Sequence, residues 1–184
     1  MLIYYYVEGD GDDELFINRI IKPLFDDTTS FQIIPYIGDT GINSKLKTSY
    51  SLKSQGGTDV IYLRDSDFNN HPRSITDVKT EVLDTYRVEE EDIVIVVIEI
   101  ESWYYAGLTP ATCRELGIDI YPDLDLVTKE KLIECALRKG LTKKQLELEI
   151  LDHYDLDFAI QQNDSFAYFI NLLQQRFENL EIYT

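Results

Sequence analysis

The stretch LIYYYVEGDGDDELF, residues 2–16, joins an apolar run to a cluster of acids and then to the start of a helical pattern. Its first six residues have the composition of a buried β-strand. Five carboxylates follow within seven residues, from Glu8 to Glu14, separated by two glycines. An acid that directly continues a buried strand and precedes a glycine has little structural purpose. The stretch therefore predicts a strand, a turn and a helix, with Glu8 as a candidate functional residue.

The rest of the chain repeats this alternation and then becomes helical. Residues 31–37 and 59–63 read as strands, and residues 41–55 and 74–87 as helices. IVIVVIEI, residues 93–100, is a β-branched run typical of a central strand of a parallel sheet. Helices are predicted at 128–138, 142–153 and 165–177, the first two capped by Thr128 and Thr142, and an irregular loop at 109–125.

These elements predict an α/β fold, with a Rossmann-like, mostly parallel sheet flanked by helices and a helical C-terminal portion. We expect a single domain over residues 1–184, in which 1–108 form the α/β core and 109–184 a mainly helical extension packed on it. The two cysteines are far apart in sequence and are read as reduced side chains. The start of the chain lacks the pattern of a signal peptide, and no apolar run is long enough for a membrane span, so we expect a cytoplasmic protein without membrane contact.

Acids recur where the predicted strands end. Glu8 follows the first strand, Asp65 and Asp67 follow DVIYL, and Glu99 and Glu101 end IVIVVIEI. Ligand sites of open parallel sheets lie outside the carboxyl ends of the strands, so these acids converge if the strands are neighbours. Several carboxylates that close together require a cation, and Mg²⁺ or Mn²⁺ prefers such oxygen ligands. Asp12, four residues after Glu8, would return toward the same edge.

Structural roles compete with this interpretation. Asp13 and Glu14 suit the positive end of a helix and can cap its free amides. Asp65 and Asp67 suit a turn in RDSDFNN. Glu99, which interrupts an apolar strand, either pairs with a cation such as Arg64 or binds metal.

The motifs resemble a known family. VEGDGDDELF and YLRDSDF resemble the two signatures of the Toprim fold, a glutamate-glycine with another acid four residues on and a later Asp-x-Asp. The whole pattern is similar to small bacterial Toprim-like proteins related to the OLD-type nucleases of phage defence. EIESWYYAGL, residues 99–108, fits the family's Glu-x-Glu-x-Trp segment, and NDSFAYFINLL, residues 163–173, looks like its terminal Ser-Phe helix.

The resemblance implies a metal-dependent nuclease. Glu8 would act as a metal ligand or as the catalytic general acid or base. Asp65 and Asp67 would hold Mg²⁺, Asp12 would help a second ion, and Glu99 and Glu101 would complete or orient the cluster. Two such ions activate a water and stabilise the leaving oxygen of a phosphodiester.

The net charge of the chain bears on which partners it can bind. Thirty-four acidic against 17 basic residues give a net charge of −17, which disfavours nucleic acid unless a basic partner or a local set of cations contributes. Arg64 and Lys45 are the candidate phosphate ligands, although Arg64 also suits a structural ion pair and the helix lysines a solvated face. A catalytically inactive Toprim-fold binding or regulatory subunit, acting through a protein partner or as a homo-oligomer, is the alternative function. A phosphoacceptor pocket of the response-regulator type ranks last, since no suitable lysine lies near Glu99.

Overall fold

The fold comes from a computed structural model that describes residues 1–9, 11–66, 74–124, 127–177 and 180. These residues form two compact units, the first from Met1 to Val96 and the second beginning at Val97. The inclusion of both in a single domain, with a boundary after residue 108, stays a prediction. Within the described residues, no helix has the length and apolarity needed to cross a membrane.

The first unit is built on a four-stranded parallel sheet. Its strands pair in the order β2-β1-β3-β4, and every pairing is parallel. Their bounds are β1 Leu2–Val7, β2 Ser30–Pro35, β3 Thr58–Asp65 and β4 Ile93–Val96. This confirms the predicted α/β class and makes β1 and β3, which carry the first two acidic tips, direct neighbours.

Helices connect the strands. Helix α1, Asp12–Phe16, runs on through a π-helical turn at Ile17–Ile21 and a 3₁₀ turn at Lys22–Leu24, while α2 spans Ile42–Lys53 and α3 Ile75–Thr85. The chain moves from β1 outward to β2, then back past β1 to β3 and β4. Because such crossovers are right-handed, α1 lies on the face opposite α2 and α3. The reversal creates a topological switch point between β1 and β3, where open α/β sheets bind ligands.

Tyrosines fill the core between the sheet and the two helices α2 and α3. Tyr6, Tyr36 and Tyr62 are fully buried there, together with Leu46 and Val82. The rings of Tyr36 and Tyr62 stack with centroids 4.6 Å apart, and the Tyr6 hydroxyl hydrogen-bonds the Ser49 hydroxyl at 2.7 Å. The aromatic run of β1 is therefore explained by packing on both faces of the sheet.

The second unit is helical, as predicted. Its helices are α4 Ile100–Ala106, α5 Pro110–Leu116, α6 Lys129–Arg138, α7 Lys143–Asp152, α8 Leu156–Gln162 and α9 Asp164–Arg176. All seven residues of α4 are buried, and this helix packs against α7 and α8. The apolar character that begins in β4 thus continues into a helix at the centre of the second unit.

Two predicted elements are wrong. The strand expected over residues 93–100 ends at Val96, because the backbone turns at Ile98, whose φ is 63°. The apolar run in the sequence nevertheless extends to residue 100, because Ile100, the first residue of α4, is buried as well. The loop expected over 109–125 contains α5, which begins when the Thr109 hydroxyl accepts a hydrogen bond from the Thr112 amide at 3.1 Å and ends at Gly117 in the left-handed conformation.

Candidate functional site

Acidic residues of two neighbouring strands meet at the carboxyl edge of the sheet. Glu8 directly follows β1, and Asp65 is the last residue of β3. The Glu8 carboxylate accepts a hydrogen bond from the Asp65 amide at 3.1 Å. The sequence placed these two acids at strand ends, and the strand order brings them together at the switch point.

Arg64 forms an ion pair with Glu8. Its Nη1 donates to Glu8 Oε1, while its Nη2 lies 3.8 Å from Glu81 Oε1 on α3. The side chains of Arg64 and Glu8 are 19% and 16% exposed. Burial, the largest effect, opposes the charge of Arg64, but Glu8 together with Tyr36 and Glu81 outweighs it, so the pKa of Arg64 is raised. The predicted ion-pair role of Arg64 is thus satisfied by Glu8, and its role as a phosphate ligand stays a prediction.

The turn after β1 is closed by an acid of the first helix. The Gly9 amide donates to Asp13 Oδ2 at 3.2 Å, and Asp13 is buried. Asp12, the predicted ligand, is the first residue of α1 and is half-buried. Asp13 therefore binds the Gly9 amide and thereby fixes where α1 begins relative to Glu8.

The end of β3 is held on its other side by β4. The Ser66 amide donates to the Val96 carbonyl at 2.8 Å, and Ser66 is buried. The Tyr36 hydroxyl donates to the Leu63 carbonyl at 3.2 Å, and burial raises the pKa of Tyr36. Both contacts fix the backbone around Asp65. Asp67, the other predicted ligand of this motif, lies outside the described residues.

The third acidic segment belongs to the second unit. Glu99 is the N-cap residue of α4 and Glu101 lies in its first turn, so the expectation that both lie at the end of a strand is wrong. Glu99 Oε2 accepts a hydrogen bond from the Lys129 amide at 2.6 Å. Thr128 does occupy the N-cap position of α6, but its side chain makes no capping hydrogen bond. Glu99 therefore supplies the anion at the start of α6.

Glu101 lies in a buried charged group that the sequence analysis missed. Lys143 Nζ lies 2.6 Å from Glu101 Oε1 and 3.2 Å from Glu147 Oε1. Glu101 and Glu147 are 3% and 1% exposed, and a carboxylate oxygen of each lies within 4.8 Å of the other. Carboxylates this close together could hold a metal ion. The available signal was the charged residue Glu147 among the apolar positions of a predicted helix.

The two C-terminal motifs of the sequence analysis meet in the core of the second unit. Trp103 Nε1 donates to Ser165 Oγ at 2.8 Å, and this hydroxyl donates to Asn163 Oδ1 at 2.8 Å. Trp103 is fully buried and stacks on Phe169 with ring centroids 5.1 Å apart. Trp103 therefore has a packing role in the core of the second unit. The same Ser165 hydroxyl accepts from the Val97 amide at 3.3 Å, which holds the backbone where the strained Ile98 follows.

Lys45, the second predicted phosphate ligand, is exposed on α2. Its Nζ lies 2.6 Å from Asp39 Oδ2, and Asp39 also accepts a hydrogen bond from the Gly41 amide at 2.8 Å. The hydrogen bond from Lys45 and that from Gly41 lower the pKa of Asp39. Lys45 is therefore held near the loop that leaves β2.

Comparison with known proteins bears on the fold. Neither protein-family models nor curated protein sequences match the chain. Among solved structures, the C-terminal region of the Burkholderia pseudomallei OLD protein is similar, with a TM-score of 0.53 and 15% sequence identity over 92% of this chain and 96% of that one. The chain has the fold of that region along nearly its whole length.

Proposed function

We propose that the protein is a divalent-metal-dependent hydrolase of phosphodiester bonds, a nuclease of the Toprim type that acts in phage defence. The observation that carries the proposal is the hydrogen bond between Glu8 and the Asp65 amide, which joins two acidic strand ends at the switch point of a parallel sheet. The fold shared with an OLD protein and the sequence resemblance to OLD-type nucleases support it.

The chemistry of the donor set suits a hard divalent cation, although the carboxylate oxygens of Glu8, Asp12 and Asp65 do not all lie within 4.8 Å of one another. Glu8, Asp12 and Asp65 offer carboxylate oxygens, which Mg²⁺ and Mn²⁺ prefer. Glu8 is ionised in its contact with Arg64 and so presents the charge that a cation requires. Asp67 and Glu99 stay predicted ligands, and Glu101 is proposed to hold a cation together with Glu147. When bound, the metal activates a water and stabilises the leaving oxygen.

The residues of the chain then have separate tasks. Glu8 is proposed as the general acid or base. Its carboxylate lies at the carboxyl edge and can leave the ion pair with Arg64 to take up or release a proton. Arg64 stays charged because its pKa is raised, and its guanidinium has the geometry to pair with a phosphate oxygen. Asp65 is proposed as a ligand that positions the metal. The hydrogen bond from its backbone amide to Glu8 fixes the end of β3 that carries its carboxylate.

Metal binding is tested by thermal unfolding with and without millimolar Mg²⁺ or Mn²⁺. An ion at about 100 times its dissociation constant adds roughly 2.7 kcal/mol, which shifts Tm by several degrees for a chain of this size. Asp65→Asn should remove the part of the shift that comes from the carboxyl edge of the sheet and leave the part that comes from Glu101 and Glu147. Asp84→Asn, the same substitution at an exposed position of α3, is the matched control and should keep the whole shift. NaCl at equal ionic strength separates binding from general screening.

Catalysis is tested on single-stranded and double-stranded DNA and RNA with Mn²⁺. We expect cleavage that Glu8→Gln and Asp65→Asn remove and Asp84→Asn retains. Cleavage that persists in Glu8→Gln would refute the assignment of the site.

The alternative function is that of a catalytically inactive binding or regulatory subunit. The observation that favours it is the ion pair in which Arg64 supplies the positive charge at Glu8. It requires that the isolated chain cleave no nucleic acid and that it associate tightly with a protein partner. Metal-dependent cleavage that Glu8→Gln removes would rule against it.

A further inference from the structure

Helix α2 is unlike the rest of this acidic chain. Residues 41–58 contain three lysines and no acid, although acids outnumber bases 34 to 17 overall. Hydroxyl and amide side chains occupy most of the other polar positions of the helix. Lys53 pairs with acids outside the helix, so the exposed surface of α2 carries Lys45 and Lys47 as a local exception to the charge that disfavours polyanions.

A groove lies between this helix and the edge of the sheet. It encloses about 300 Å³. The α2–β2 groove is defined here by Tyr4 and Gln32 on the sheet and by Ser44, Lys45 and Thr48 on α2. Strand β2 is at the edge of the described sheet, so the groove opens to solvent along that edge.

The side chains of the groove match the chemistry of a sugar-phosphate chain. Lysine, serine, threonine and glutamine are common ligands of phosphate and sugar oxygens. Lys45 is held at the groove by Asp39, which the Gly41 amide also binds, so Asp39 stays partnered when Lys45 turns to a phosphate. Tyr4 is half-buried and offers an aromatic ring on which a base can stack.

The position of the groove connects it with the carboxyl edge. Lys45 lies in the first turn of α2, directly after the loop that follows β2. That loop contacts the turn after β1, since the Ile37 amide donates to the Glu8 carbonyl at 3.3 Å. A chain lying in the groove therefore has one end directed to the edge that carries Glu8.

We propose that the α2–β2 groove binds single-stranded nucleic acid and leads it toward the carboxyl edge of the sheet. The choice of ligand rests on the proposed function, but the binding itself requires no metal. Single strands are favoured over duplex for two reasons. Among its described residues, the groove has a single lysine beside its hydroxyl groups, which suits one phosphate row, and a protein of net charge −17 repels the paired phosphate rows of a duplex more strongly.

The test is fluorescence anisotropy of a labelled single-stranded oligothymidylate, titrated with the full chain in EDTA at several salt concentrations. Lys45→Gln should weaken binding and lower the slope of log affinity against log salt by about 0.7, the value for one phosphate contact on a single strand. Thr48→Val, which removes a hydroxyl without a change of charge, should weaken binding and leave that slope unchanged.

Lys47→Gln is the matched control. It removes the same charge from the same exposed helix, but Lys47 does not line the groove, so its affinity and slope should equal those of the wild type. Equal losses in Lys45→Gln and Lys47→Gln would show general attraction and overturn the proposal. The proposal would also be overturned by an absence of binding at the lowest salt or by preference for a duplex of the same sequence. A dimer that Thr48→Val dissociates would overturn it too, because a second copy of the chain would then fill the groove.

Failure of this proposal is distinguishable from failure of the proposed function. Asp65→Asn should bind the oligonucleotide in EDTA as the wild type does, even though it loses metal binding at the carboxyl edge. Binding by a chain that cleaves no nucleic acid would support the groove and reject the hydrolase. If the chain does not bind the oligonucleotide in EDTA, and Lys45→Gln and Thr48→Val leave cleavage unchanged, the result would support the hydrolase and reject the groove.

Discussion

Among the glycines that the structure describes, Gly107, at the end of α4, is the one that another residue's side chain approaches most closely. A Cβ atom at this position would lie 2.5 Å from two carbons of the Tyr154 ring. The ring is fixed at both ends, since the Tyr154 hydroxyl donates to the Trp103 carbonyl at 2.9 Å and the Asp155 amide donates to the Gly107 carbonyl at 2.9 Å. The absence of a side chain at Gly107 thus permits a contact that ties α4 to the start of α8.

Gly107→Ala is predicted to destabilise the protein by about 1–3 kcal/mol, the usual cost of overpacking. Urea unfolding measures it. Gly117→Ala tests the other reason for a glycine, its backbone conformation. Gly117 has a φ of 64° and open space around its Cβ position. Tyr154→Leu should rescue the Gly107→Ala variant but not the Gly117→Ala variant. A Gly107→Ala chain as stable as the wild type would contradict the close contact.

Single residues also show where sequence reasoning stops. Glu8 and Asp65 were identified because each acid lies at the end of a buried strand, a local signal. Glu147 has its partner Glu101 on another helix, so only the packing of α4 against α7 reveals the pair. Ile98 gives no local signal at all, because its positive φ is imposed by the contacts of its neighbours.

At the scale of elements, one lysine joins α2 to the sheet. Lys53, the last residue of α2, lies 2.6 Å from an oxygen of Asp92, which is fully buried just before β4. Asp59 in β3 and Glu89 also lie within 3.6 Å and 3.4 Å of the same ammonium group. Three acids, one from β3 and two from the segment before β4, therefore surround one cation.

Lys53→Met is predicted to cost about 2 kcal/mol. This lies between the value for a surface pair and that for a buried one, because Lys53 is 25% exposed whereas Asp92 is not exposed. Lys47→Met, on the same helix, should change stability by less than about 0.5 kcal/mol. The double variant Lys53→Met with Asp92→Asn should be more stable than additivity predicts, in chemical denaturation. Additive losses would mean that the pair contributes nothing.

The elements were predicted well where the pattern is regular. The alternation of strand and helix through β3 was readable because each buried strand ends in glycine or acid, and the parallel order follows from the crossovers. The end of β4 was not predicted, because a buried strand followed by a buried helix gives one continuous apolar run in the sequence. Helix α5 carried readable signals, Thr109 before Pro110 and Gly117 after the last turn, which its polar composition concealed.

At the scale of the whole molecule, charge is the dominant property. A net charge of −17 makes like-charge repulsion a destabilising term that dissolved salt screens, with a Debye length of about 8 Å at 0.15 M. This term is independent of any particular carboxylate. Stabilisation by salt must therefore be separated from stabilisation by a bound metal.

We predict that NaCl at about 0.15 M raises Tm at pH 7 by roughly 2–4 °C relative to low salt, which corresponds to about 1 kcal/mol for a chain of this length. Differential scanning calorimetry measures it. The rise should be the same in Asp65→Asn, unlike the rise with Mg²⁺, because one charge in 34 acids changes the repulsion little. It should shrink as pH falls toward the ordinary carboxyl pKa range near 4, since protonation removes the repelling charges. A Tm that falls with NaCl at pH 7 would mean that ion pairs such as that of Lys53 with Asp92 outweigh the repulsion, and that the acidic surface is balanced locally.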